Sequence, residues 1–415
     1  MSRMNFDVAI IGAGPAGSSA AITLARDGAN VLLLERGRFP RHKVCGEFVS
    51  AESLALLQSL LDTTALAGKS RLSIGKTRIF IDGQVITADI DPPAASITRF
   101  DLDLALWNAA RASGVDCRAA HDVSAISFEA GCFLLRTAGE TFTARAVLDA
   151  TGRWSRLRGD KPPVGPKWLG LKCHFREQDR SSGRSDVDTS THRDTYPPSV
   201  DLYFFDHGYC GVQPITDGVV NACAMVRSDI ATSLNDAFAL NTALATRAQS
   251  WTPLFDPITT APLVFRPPQP LRWTGATSEG SYDPPQSDAT NSSSTHKSAP
   301  ILCIGDAAAF IDPFAGDGIS LAVRTGVAAA ESLAPFLRDV RSNGVQQAGI
   351  LINQTLLQAA AHYESRYQRE FSPILASAAR VRSLLNQPRL LRSAALTAMR
   401  LPFVANYVIR KTRTA

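Results

Sequence analysis

The sequence predicts an α/β chain in which a parallel, nucleotide-binding sheet is interleaved with an antiparallel sheet and followed by a helical, basic C-terminal region. Three observations predict it. A glycine-rich strand, turn and helix open the chain, a second such unit begins near residue 300, and the strands between them mix polar with apolar residues. With 415 residues and 45% hydrophobic content, the chain can bury two cores.

The apolar run at 7–11 leads into Gly12-Ala13-Gly14-Pro15-Ala16-Gly17, and a second apolar run at 31–34 ends at Glu35. Gly12 makes a tight turn, Gly14 lets a pyrophosphate approach the backbone, and Gly17 lets the next helix pack on the strand. The N-terminus of a helix expected from Ser18 to Asp27 offers free N–H groups to phosphate, with Ala16 in the turn before it, and Glu35 is placed to bond an adenosine ribose. This is the Rossmann-like pattern of a dinucleotide site.

Near the other end, the run 301–304 closes on Gly305-Asp306. Pro313, Gly316, Gly318 and Ile319 then open an Ala-rich helix. A carboxylate after a strand can hold a ribityl or ribose hydroxyl, and a Gly-x-Gly helix start can aim N–H groups at a ring oxygen. Two such sites suit one long ligand lying across a sheet, which points to FAD rather than NAD.

On these residues the chain resembles the flavoprotein superfamily containing para-hydroxybenzoate hydroxylase, the flavin-dependent halogenases and the geranylgeranyl reductases. The segment Phe39-Pro40-Arg41-His42-Lys43-Val44-Cys45-Gly46-Glu47 is most similar to the geranylgeranyl reductase branch. Halogenases match it up to Phe-Pro-Arg but lack the Cys-Gly pair. Arg99, at the start of a helix, and Asp149-Ala150-Thr151-Gly152, at a strand end, match family positions. The resemblance implies FAD contacts at Arg36, Cys45, Gly46, Arg99, Val123 and Gly152. Arg99 also has an ordinary reading, an ion pair with Asp101 or Asp103.

The stretch Gly208-Tyr209-Cys210-Gly211-Val212-Gln213-Pro214 is similar to the family segment Gly-Tyr-x-Trp-x-Phe-Pro. It implies a substrate wall at Tyr209, Gly211, Gln213 and Pro214. Gly211 and Gln213 replace bulky residues, which counts against halogenation and implies a wider pocket. Cys45 is the candidate catalytic residue. Carried over from the reductases, it touches the isoalloxazine and is placed to donate a proton after hydride transfer, against the alternative of an inert buried thiol.

The function expected is FAD-dependent reduction of a carbon–carbon double bond in a lipid-like, isoprenoid or polyketide substrate. The alternative is hydroxylation of an aromatic or polyketide substrate by oxygen activated at flavin C4a, and a third is an electron carrier without substrate chemistry. With no second complete nucleotide fingerprint, NAD(P)H docks transiently or a separate reductase supplies electrons.

The expected FAD-binding domain spans 1–75, 99–165 and 300–345, and the substrate domain spans 76–98 and 166–272. Residues 273–299, rich in Ser, Thr, Asp and Pro, are expected to be a disordered loop. Residues 346–415 are the helical basic region. From Phe371 onward there is no acidic residue and eight basic ones, so the tail more than accounts for the formal charge of +5. With Leu, Phe, Tyr, Val and Ile between the charges, it reads either as an interfacial membrane segment or as a helix packed on the core. Seven scattered cysteines predict reduced thiols and a cytoplasmic protein. No metal-ligand cluster, nucleic-acid motif or Gly-x-Ser-x-Gly elbow is present.

Overall fold

The computed structural model describes residues 5–61, 72–154, 164–177, 198–265, 274–277, 282–283, 298–343, 349–385 and 387. The chain opens with β1 (Asn5–Ile11), α1 (Pro15–Arg26), β2 (Val31–Glu35), β3 (Phe48–Val49) and α2 (Ala51–Leu60). The hairpin of β4 (Leu72–Ile81) and β5 (Gln84–Ser96) precedes α3 (Arg99–Ala112). Then come β6 (Asp116–Ala119), β7 (Ala125–Glu129), β8 (Cys132–Arg136) and β9 (Thr141–Asp149). A run of β10 (Trp168–Glu177), β11 (Ser199–Phe205), β12 (Gly208–Thr216) and β13 (Val219–Arg227) follows. After it lie α4 (Leu234–Ala239), α5 (Thr242–Ala248), β14 (Trp251–Pro253) and β15 (Ile258–Thr259). β16 (Thr274–Thr277), β17 (Tyr282–Asp283), β18 (Ser298–Cys303), α6 (Gly318–Asn343), α7 (Gly349–Glu370) and α8 (Ser372–Leu385) complete the described elements.

The first sheet runs β17-β16-β18-β9-β1-β2-β6, with the β7–β8 hairpin attached to β9. Its central strands are parallel, as in β1 with β2 and β9 and in β9 with β18. Every residue of β2 is buried in the first core, which leaves no polar side to alternate with. Two glycines allow the covering helix to come close. A Cβ on Gly17 would lie 1.9 Å from the Gly12 carbonyl oxygen, and one on Gly326 in α6 would lie 2.3 Å from that of Ala16. Tyr363 of α7 donates its hydroxyl hydrogen to the Cys303 carbonyl at 3.1 Å and fixes that helix over β18.

The second sheet runs β14-β10-β13-β12-β11-β4-β5-β3. One face of β10, β12 and β13 puts Cys173, Cys210, Val212, Ala222 and Ala224 against Leu234, Ala237 and Phe238 of α4. The opposite face turns toward the nucleotide half. The antiparallel part begins at Leu72 and recruits Phe48–Val49 through β5, so it is slightly larger than the 76–98 hairpin expected from sequence.

The segment 273–299 differs more. β16 pairs antiparallel with β18 and with β17, so part of it extends the first sheet by covering the free edge of β18. The polar run 284–297 lies outside the described residues. Of the basic tail, α8 packs Ile374, Leu375 and Ala378 into the first core and Leu385 against Ile81 and Ile86 of the second sheet. Residues 388–415 lie outside the described residues, and no helix among those described is long and apolar enough to cross a membrane.

Candidate flavin site and substrate cavity

The glycine turn ends at Gly14, the N-cap of α1, with Pro15 in the first turn, no side-chain cap and no acidic residue. The first N–H groups of the helix are therefore left for an anionic ligand. Gly12 has φ of 102°, a conformation that favours glycine, and a Cβ there would lie 2.3 Å from the Ala150 carbonyl oxygen. Ala16 is buried under the Gly305 turn and under α6, so it packs rather than points at a ligand.

Glu35 is buried at the end of β2. Its carboxylate accepts the Ala13 N–H at 3.0 Å and the Gly37 N–H at 2.8 Å, and Arg41 lies 3.0 Å away. Burial pushes its pKa up, but the Arg41 charge and these hydrogen bonds outweigh that and leave it below the ordinary value. The carboxylate thus also braces the glycine turn, a role its spacing did not reveal. Arg36 is exposed beside it. Lys43 has its pKa pushed down to about 8, by burial first and then by Arg41 and Arg99. The site holds an excess of positive charge that an anion would relieve.

Arg99 begins α3 and gives both nitrogens of its fork to Asp103, at 2.6 and 2.7 Å. Its Nη2 also lies 3.9 Å from where a Gly14 Cβ would be, and the Cys45 side chain is within its electrostatic reach. The ion pair therefore aims Arg99 between the phosphate turn and the Cys45-Gly46 segment. Asp306 is exposed after β18, with Arg99 and Arg153 as the cations acting on it. Val123 is buried in the first core, which leaves its backbone as its route to a ligand.

The fit to a flat ring rests on two other glycines. A Cβ on Gly46 or on Gly318 would meet nothing within 4 Å, as would one on Gly152. Gly316, with φ of 75°, holds the turn before α6, and Phe48 lies 3.1 Å from its Cβ position. Pro313 is half-buried and Ile319 is buried in the core. Cys45 is half-buried and accepts the Glu47 N–H at 3.3 Å. A positively charged, glycine-lined N-terminal site continuing to open space beside Cys45, Gly46 and Gly318 fits FAD.

The substrate wall is arranged less simply than the motif implies. Tyr209, Gly211 and Gln213 share the face of β12 that looks toward the nucleotide half, and alternation turns Pro214 the other way. Tyr209 reaches a cavity of about 530 Å³ whose walls include Trp168, Phe204, Phe205 and Phe314. Its hydroxyl donates to Asp312 at 3.0 Å, and Arg382 of α8 pairs with the same carboxylate. Arg382 also lies over the rings of Trp168 and Phe265. Gly211 and Gln213 fall outside this lining. Gln213 is buried, donates to Ser96 at 2.9 Å and leaves its Oε1 without a partner.

Sequence reasoning missed Arg382, Asp312, Lys172 and His174, whereas Asn221 matches an Asn that follows the family segment. Arg382 was counted only as tail charge. Lys172 and His174 sit in strands where nothing local distinguishes a buried charge from a solvated one.

Residues 6–172 match the pyridine nucleotide-disulphide oxidoreductase family model. The menaquinone reductase of Mycolicibacterium smegmatis is 46% identical over 54 residues, 13% of this chain and 13% of that protein. Among solved structures, the flavin-dependent brominase Bmp2 superposes with a TM-score of 0.70 at 19% identity, over 99% of this chain and 93% of that one. A geranylgeranyl bacteriochlorophyll reductase-like protein from Thermoplasma acidophilum gives 0.69 at 18% identity, over 99% and 95%. The chain therefore shares its fold with these flavin-dependent and reductase-like structures over nearly its whole length.

Proposed function

We propose that this flavin-dependent oxidoreductase reduces a carbon–carbon double bond in a large, mostly apolar substrate. The observation that carries the reading is Cys45, half-buried at the open space before Gly46, accepting the Glu47 N–H and lying within the electrostatic reach of Arg99. FAD, when bound, supplies hydride from N5. Arg99 and the Glu47 N–H hold the charge left on Sγ when Cys45 gives its proton to the second carbon. The aromatic walls orient a conjugated segment, and the Tyr209–Asp312–Arg382 set holds a polar end of the molecule. Electrons enter from NAD(P)H docking transiently or from a separate reductase.

A second reading is hydroxylation of an aromatic substrate, favoured by the same ring-lined cavity and by the likeness to halogenases. One experiment separates the two. The holoenzyme is reduced without oxygen and offered menaquinone, then geranylgeranyl diphosphate. Return of the oxidised flavin spectrum without oxygen, with two hydrogens added at a side-chain carbon–carbon double bond rather than at the quinone ring, supports the reductase. Reoxidation only when oxygen is admitted, with oxygen incorporated into an aromatic probe, supports the hydroxylase.

A further inference from the structure

Between the two halves lies a cluster of buried side chains that the proposed chemistry does not use. Glu47 is fully buried and has φ of 62°, in the left-handed region that a side chain seldom adopts. One carboxylate oxygen accepts the Arg99 backbone N–H at 2.8 Å, at the N-terminus of α3, and meets the ammonium of Lys172. The other meets His174 Nε2 at 2.8 Å. Lys172 is fully buried and His174 nearly so.

The register of the second sheet explains how these groups meet. Lys172, Cys223 and Gly211 form one row across β10, β13 and β12, and His174, Asn221 and Gln213 form the next. Asn221 donates its amide to the Cys45 and Gly46 carbonyls, at 3.0 and 2.9 Å. Its Oδ1 is buried without a partner. The antiparallel sheet thus grips consecutive residues, Cys45, Gly46 and Glu47, by Asn221, Lys172 and His174. Around them stand His42, stacked on Phe255 with centroids 4.1 Å apart and edge-on to His174, and the Arg99–Asp103 pair.

A buried charge set of this kind costs desolvation and contributes little net stability compared with apolar residues of the same size. Its retention beside the open space at Cys45, Gly46 and Gly318, the slot read as the flavin site, on a residue in an uncommon backbone conformation, calls for another role. We propose that Glu47, Lys172 and His174 are positioning residues that hold the Cys45-Gly46 strip at its place against the flavin. The proposal rests on the reading of the slot as the flavin site. Through the backbone, the direction of the Glu47 carboxylate fixes where Gly46 and the Cys45 thiol sit, and the left-handed Glu47 turns the chain into β3.

The test compares the FAD-loaded parent with Glu47→Gln and with Glu47→Gln/Lys172→Met. It reads thermal midpoint, the flavin absorption bands and the rate at which Cys45 is alkylated by N-ethylmaleimide, followed by peptide mass. Glu47→Gln should lower the midpoint, shift the bands and speed Cys45 alkylation by about tenfold, as expected for a strip that opens more readily. The double variant has no unpaired buried charge, so its midpoint should recover while the shifted bands and fast alkylation persist. Parent-like bands and alkylation in the double variant would overturn the proposal and leave the cluster a stability feature. If Glu47→Gln does not fold, the double variant decides alone. If the parent carries no FAD, the slot reading fails, and Cys45 alkylation still reports whether the strip is held.

Discussion

The two halves of the molecule shape the slot by opposite means. On the nucleotide side the work is done by atoms that are missing: the absent Cβ of Gly12 and Gly17 brings backbone to backbone, and that of Gly46 and Gly318 leaves open space. On the antiparallel side it is done by buried polar groups, Lys172, His174, Asn221 and Gln213, set in two rows on one face of β10, β13 and β12. The first device tolerates almost no added volume. The second tolerates volume but no imbalance of charge. Substitutions on the two sides should therefore fail differently.

The largest effect belongs to the packed glycines. Gly17→Val puts a Cβ 1.9 Å from the Gly12 carbonyl oxygen, and backbone cannot swing aside as a side chain can. Destabilisation by roughly 3 kcal/mol is expected from overpacking alone, with FAD lost on gel filtration. Urea unfolding checks it. Parent-like stability would mean that α1 sits farther from β1 than the structure has it.

On the other side, Lys172→Met leaves the Glu47 carboxylate buried with one cation fewer. A loss of about 3 kcal/mol at neutral pH is expected, the usual result of breaking a buried pair from one end. The loss should depend on pH. In the parent, burial pushes the Glu47 pKa up, but the His174 bond and the Lys172 charge outweigh it and hold the carboxyl below its ordinary value of 4.5. Its contribution is complete above 4.5 and is lost as pH falls through the lower folded value. The gap between parent and variant should therefore narrow in acid, seen as converging thermal midpoints. A gap independent of pH would assign the effect to packing.

These two cases also show what could be read in the chain. Gly12, Gly14, Gly17 and Glu35 announce themselves because one short segment must turn, approach phosphate and pack, and each demand falls on a neighbouring residue. The rows of the second sheet are different. Lys172, Asn221 and Gln213 become neighbours only through strand register, which no local pattern in β10, β12 or β13 specifies. The same limit applies to Gly211 and Gln213, which the motif assigned to the substrate wall and whose neighbours on the β12 face, outside the ring-lined cavity, follow from register alone. Arg382 was misplaced for a related reason: its partner Asp312 lies far away in sequence, so the basic tail looked uniform.

A smaller effect sharpens the nucleotide side further. Lys43, pushed down to about 8 by burial and by Arg41 and Arg99, is part-deprotonated in the free protein above that pH. A bound pyrophosphate favours the protonated form, so binding takes up a proton. FAD affinity should then fall as pH rises through about 8, by up to about tenfold per unit until the pKa of the complex is passed. Titration calorimetry in buffers of different ionisation enthalpy detects the proton. Lys43→Met should flatten the pH profile, and an equally steep profile in that variant would place the titrating group elsewhere.

The smallest effect on thermal midpoint is expected from removing residues 388–415, which lie outside the described residues. α8 buries Ile374, Leu375 and Ala378 and sends Arg382 into the cavity, so a truncation after Glu370 would remove core and site together. A truncation after Gln387 spares them. It removes Arg389, Arg392, Arg400, Arg410, Lys411 and Arg413, with Leu, Phe, Tyr, Val and Ile between them and no acidic residue. We propose that this remainder docks the enzyme on anionic membrane, where each basic residue near the surface contributes about 1 kcal/mol at low salt. The shortened chain should keep its FAD and thermal midpoint. The full chain should pellet with phosphatidylserine vesicles and the shortened one should not, with the difference shrinking as salt is raised. Equal pelleting would move the contact to the folded body, and pelleting by neither would leave the charge as ordinary solvated surface.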